Sequence, residues 1–169
     1  MKKVFRFLAI FALATSTLMA ATSDASFPSQ WKSFDTVTTP LSTIGALPGC
    51  DADVSSLPAI YQETVAMYCA VKPGGPGAVE ILVSNKDAFK ARTGKYKDDT
   101  FFVLHLKDLK VLFVTQWKNN KPLYGIYTQT GQDAANVVGS GLNPQDCKQC
   151  HTGYQAFCIN GQCATLQVK

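Results

Sequence analysis

Phe101-Phe102-Val103-Leu104-His105-Leu106-Lys107-Asp108-Leu109-Lys110-Val111-Leu112-Phe113-Val114-Thr115-Gln116-Trp117, then Lys118-Asn119-Asn120-Lys121 and Pro122-Leu123-Tyr124-Gly125-Ile126-Tyr127, is the stretch that decides the fold. β-Branched and aromatic residues dominate it, and its interruptions are polar turn formers. It predicts an antiparallel meander with strands at 101–107, 109–117 and 122–128. Turns fall at Lys107-Asp108 and Lys118-Asn119-Asn120-Lys121. Period-two alternation sets Phe102, Leu104 and Leu106 on one face, and Phe101, Val103, His105 and Lys107 on the other.

Upstream, Val79–Val83 reads as a further strand, followed by a short helix Lys86–Arg92 capped by Ser84 or Asn85 and ended by Gly94. Residues 72–77 read as a turn or flexible loop. The segment 57–63 reads as a helical turn feeding a strand, Thr64–Val71, on the strength of its β-branched and aromatic content. Residues 26–50 are rich in Ser, Thr and Pro. They read as a loosely ordered lead-in, laid over the domain by Phe27, Trp31 and Phe34. Downstream, Asp133–Val138 suggests a helical turn. The architecture expected is α+β, a twisted antiparallel sheet with short helices. The chain divides into a leader at 1–25, the lead-in at 26–50 and one domain at 51–169.

Beyond Gly139-Ser140-Gly141 comes Cys147-Lys148-Gln149-Cys150-His151. Asn143 can cap a helix here, Pro144 suits its first position, and Asp146 adds negative charge to the first turn. On that helix Cys147 and His151 share a face, with Cys150 beside them. Cys-x-x-Cys-His is the attachment signature of c-type haem, in which two thiols add to the porphyrin vinyl groups and the imidazole binds iron. A redox pair would need a thioredoxin-like βαβ setting, which the sequence lacks. Half a zinc site completed by Cys158 and Cys163, or a plain disulfide followed by a chance histidine, are weaker alternatives.

The N-terminus fits the same chemistry. Lys2, Lys3 and Arg6 flank the apolar run from Phe7 to Leu13, and small residues follow at Ala20, Ala21 and Ala25. This is the pattern of a secretory leader, too short to span a membrane. Cleavage can follow Ala20, Ala21 or Ala25. The last option leaves 13 basic and 11 acidic residues, a balance that suggests neither nucleic-acid binding nor a polybasic membrane patch. A bacterial periplasm, or secretion, is the expected location. Of six cysteines, four lie outside the haem motif, and an exported chain suggests two disulfides. Asn160-Gly161 favours Cys158–Cys163, leaving Cys50–Cys69 by elimination.

Small all-α cytochromes usually carry this motif near the N-terminus and a ligand methionine near the other end. Here only 18 residues follow the motif, and Met67 is the one methionine beyond the leader. Within its predicted strand Met67 reads better as core filler than as a ligand.

A C-terminal haem motif behind an antiparallel sheet resembles the cytochrome P-460 and cytochrome c′-β family. Leu57-Pro58-Ala59-Ile60-Tyr61-Gln62-Glu63 is similar to the segment opening that family's first strand. Phe89-Lys90-Ala91-Arg92-Thr93-Gly94-Lys95-Tyr96-Lys97-Asp98-Asp99-Thr100 resembles its helix, Thr-Gly turn and strand entry. The likeness covers Leu57 to His151 in patches. It implies one covalent haem c with His151 on iron, an open distal side beneath the sheet, and a homodimer. Hydroxylamine-oxidising members cross-link a lysine to the porphyrin. Ungapped counting from Thr93-Gly94 puts Leu104 at that position, the apolar cap of the c′-β type, whose ligands are small gases such as nitric oxide. A three-residue shift would instead place Lys107 there.

Leu104 and Phe102 are therefore expected at the haem, with His105 pointing away. A periplasmic redox partner and a small gaseous or nitrogenous ligand complete the expectation. If the chain is an enzyme, it is a haem oxidoreductase acting on small nitrogen compounds. The alternatives are an electron carrier ligated by His105 or Met67, and a hydroxylamine oxidase dependent on Lys107.

Overall fold

The computed structural model describes residues 22–37, 49–57, 59–71, 78–91, 93–137, 141–153, 158–159 and 162–163. The meander forms strands β3 (Thr100–Leu106), β4 (Val111–Lys118) and β5 (Lys121–Thr128). With β1 (Asp35–Thr36) and β2 (Val79–Val83), they make one antiparallel sheet in the order β1-β2-β3-β4-β5. The fold is α+β, as the alternating pattern predicts. The β4–β5 turn is a two-residue hairpin in which Asn119 and Asn120 both take positive φ, 51° and 63°. That mirror-image turn follows the strand twist, and Asn tolerates it. The β3–β4 connection is longer than the expected Lys107-Asp108. Lys110, at φ 56°, donates its N–H to Lys107 O at 3.2 Å, so β4 begins at Val111 and not at Leu109.

Helix α1 (Ala59–Val71) replaces the strand expected at Thr64–Val71. Strand propensity largely measures packing on a pleated surface, and tertiary context overrides it here. Val65 and Cys69, four residues apart, both face the core from α1. Cys69 is bonded to Cys50, the pairing reached by elimination. Helix α2 (Lys86–Ala91) starts where Asn85 Oδ1 accepts the Ala88 N–H at 2.9 Å. The turn expected at Asp133–Val138 is a short 3-10 helix, Ala134–Asn136, capped by the Asp133 carboxylate. Helix α3 (Pro144–Gly153) carries the cysteine-histidine motif. Past it, β6 (Cys158–Ile159) pairs with β7 (Gln162–Cys163), so Cys158 stands opposite Cys163. The side chains of those two cysteines, residues 72–77 where a turn or loop is expected, and residues 1–21 of the expected leader lie outside the described residues.

Registers fix the two faces of the sheet. Ile81, Leu104, Phe113 and Ile126 are aligned across it on the front, and Glu80, His105, Leu112 and Tyr127 on the back. On the front, Val65, Cys69, Leu142 and Cys147 pack on Val79, Leu106, Val111, Phe113 and Ile126. The back is covered by Ala25 and, from the lead-in, Phe27, Trp31 and Phe34. β4 is consequently buried along both faces as far as Trp117.

Candidate functional site

The front face meets the cysteine-histidine helix. Asn143 starts α3 as the sequence suggests, its Oδ1 accepting the Gln145 N–H at 3.0 Å. Cys147 is partly buried and packs into the front core, while Cys150 and His151 are half-buried one turn on. Neither motif cysteine is in a disulfide. Burial pushes the Cys147 thiol up to about 12, and the neighbouring Asp146 charge adds to this. Burial also raises the Cys150 thiol, helped by the Glu63 carboxylate on α1. A redox Cys-x-x-Cys motif works through a stabilised thiolate. These two thiols are held in the opposite, protonated sense. Among the described residues no three His, Cys, Asp or Glu side chains gather as a metal site.

Tyr124 on β5 lies against His151, ring centroids 5.1 Å apart at 54°. Its phenol is pushed well up, by burial first and then by Cys147 and Cys150. Three further aromatic side chains of the meander are Trp117, Tyr124 and Tyr127. The structure separates them. Tyr124 and Trp117 are on the front, whereas Tyr127 is on the back with its hydroxyl donating to the Ala25 carbonyl. Strand alternation carried that signal once the register was fixed, since 124 and 127 differ by an odd number.

Leu104 and Phe102 both fall on the front. Leu104 packs on the cluster that holds Cys147, and Phe102 on the one formed by Tyr96, Trp117 and Val83. His105 is on the back and 7% exposed. Gln129 Nε2 donates to its Nε2 at 2.6 Å, leaving the Nδ1 hydrogen for Glu80 Oε2 at 3.4 Å, and Trp31 packs edge-on at 4.9 Å. Lys107 shares that side, its Nζ 3.5 Å from Glu80 Oε2. Burial pulls the Glu80 carboxyl up, but His105, the Lys107 charge and Thr36 outweigh it and hold it below its ordinary value. Met67 belongs to α1, not to a strand, and its side chain lies outside the described residues.

The front face carries one further polar feature, at Trp117 in the cluster with Tyr96 and Phe102. Among the described residues, the single buried side-chain nitrogen or oxygen without a hydrogen-bond partner is Trp117 Nε1. Burying an N–H unpaired costs about 1–3 kcal/mol. An acceptor on a bound group would relieve that cost. Cys147, Cys150 and His151 could hold a haem by two thioethers and an iron ligand from one helix, with the apolar front-face residues as cover. Compared with known proteins, the chain matches no family model, no curated protein and no solved structure.

Proposed function

We propose that the chain is an exported monohaem c-type cytochrome of the P-460 and c′-β kind that binds a small neutral ligand such as nitric oxide. Cys147 and Cys150 would tether the haem, and His151 would hold its iron. One observation carries the reading. The two cysteines and the histidine leave one helix packed on the face that presents Leu104, while the only other histidine, His105, is held on the reverse face by Glu80 and Gln129.

When bound, the haem supplies an iron with one protein ligand and one position for an exogenous molecule. The chain's own residues do the rest. Tyr124 backs the His151 ring and limits its rotation. Leu104 and Phe102 offer no hydrogen-bond donor, which favours neutral diatomic ligands over anionic or strongly polar ones. His105 is committed to Glu80 and Gln129, so it is kept from the iron. Lys107 is paired with Glu80 on that same side, which argues against a lysine cross-link and hence against hydroxylamine oxidation. A periplasmic electron donor would reset the iron after any redox event, and a second copy of the chain is the expected assembly partner.

The visible spectrum of the reduced protein, before and after carbon monoxide, tests this. A broad Soret band that shifts with carbon monoxide is expected. Sharp α and β bands unmoved by the gas would indicate two protein ligands and an electron carrier instead. A band displaced far to the red would indicate the Lys107 cross-link.

A further inference from the structure

The leader pattern leaves three cleavage points, and the small-residue rule alone favours the bond after Ala25. That cut puts Ser23 in the minus-three position, whereas cuts after Ala20 or Ala21 put Leu18 or Met19 there. The fold argues the other way. Ser23 donates its N–H to Asp133 Oδ2 and its hydroxyl to Asp133 Oδ1, both at 3.0 Å. The Ser23 hydroxyl also accepts the Ile126 N–H at 2.9 Å. Asp24 and Ala25 donate their N–H groups to Tyr124 O at 2.9 and 3.0 Å, covering the outer edge of β5. Ala25 is 2% exposed, and its carbonyl accepts from the Tyr127 hydroxyl. Gly125 has no room for a side chain beneath this strap. A Cβ there would lie 3.1 Å from the Ser23 Cβ and 3.3 Å from the Ala25 Cβ.

We infer that the leader is cut before Ser23, at Ala20–Ala21 or Ala21–Thr22, and that residues 23–26 stay as a built-in edge strap of the mature protein. The step is a hydrolysis by signal peptidase. Water enters one peptide bond, leaving a carboxylate on the leader and an amine on the mature chain. A cut after Ala25 would remove the partners of Ile126 N–H, Asp133 and the Tyr127 hydroxyl. It would also convert the Ser26 N–H into an ammonium. That N–H donates at 2.8 Å to Gln116, a side chain 2% exposed, and a charge beside so buried a group is costly. The inference rests on the export reading above.

N-terminal sequencing of the protein recovered from the periplasm decides it. A first residue at Ala21 or Thr22 is the expected result, and a start at Ser23 or later, or before Ala21, overturns it. Retention of Met1 on cytoplasmic material would instead overturn the export reading itself. A chain whose leader is rejoined directly at Ser26 should melt lower by about 5 °C or more, given roughly 2–4 °C per kcal/mol at this size. Melting within a degree of the natural product would also overturn the inference.

Discussion

The two faces of one sheet have been built to different rules. On the back, polar groups are buried but paired. Gln116 accepts from Ser26 and donates to Asp99 Oδ1 at 2.6 Å, His105 sits between Glu80 and Gln129, and Tyr127 is bonded to Ala25. On the front, among the described residues, the Trp117 indole N–H is left without a partner in one cluster, and Cys147 packs, outside any disulfide, in another. Buried polar groups in finished interiors find partners. The back is therefore a completed interior closed by the chain's own N-terminal strap. The front leaves one buried N–H unpaired among the described residues, which is consistent with the haem proposed above.

The sharpest way to break the contrast is to exchange neighbours on β3. Leu104→His would bring an imidazole to the front, and we expect a six-coordinate reduced spectrum with carbon monoxide binding slowed or lost. The reverse change on the other face, His105→Leu, should leave that spectrum untouched. It should cost stability of about 1–3 kcal/mol by urea denaturation, because Glu80 and Gln129 lose a partner. If His105→Leu instead altered the spectrum, the assignment of faces to roles would be wrong.

Trp117→Phe probes the front with a smaller perturbation. In the pigmented protein it should lower stability by about 1 kcal/mol, the usual net worth of a hydrogen bond. A gain in stability would mean that the indole has no acceptor there and was a burden. The smallest effect belongs to Glu80. Its folded-state value lies below the ordinary 4.5, so its stabilising contribution is complete above that value and lost as pH falls through the lowered one. Glu80→Gln should therefore flatten the acid limb of melting temperature against pH below 4.5, and leave neutral behaviour nearly unchanged. The group is partly exposed, so solvent screening keeps this effect modest.

How much of this the sequence disclosed depends on the range of the interactions involved. The meander was legible because alternation and the Asn119-Asn120 turn are local, and the face of His105 follows from alternation alone. The cap at Asn143 and the grouping of Cys147 with His151 are equally short-range. Helix α1 was not legible, since Thr64–Val71 has strand-like composition and only its packing on the sheet selects the helix. The spacing of Val65 and Cys69 was the available hint. The start of β4 is two residues later than the expected 109, because the positive φ at Lys110 closes the turn only there. The place of Tyr124 beside His151 required the register of β5 against β4 and the docking of α3, neither of which any single segment encodes. The lead-in looked loose by composition, but its aromatics and residues 23–26 make long-range contacts that composition does not report.

Intact-mass analysis of the exported protein, made in a host competent for cytochrome c maturation, tests the central claim most directly. The account predicts a mature chain carrying one haem that survives denaturation, and loss of that added mass in a Cys147→Ala, Cys150→Ala double variant. A natural product whose mass equals the bare polypeptide would contradict it.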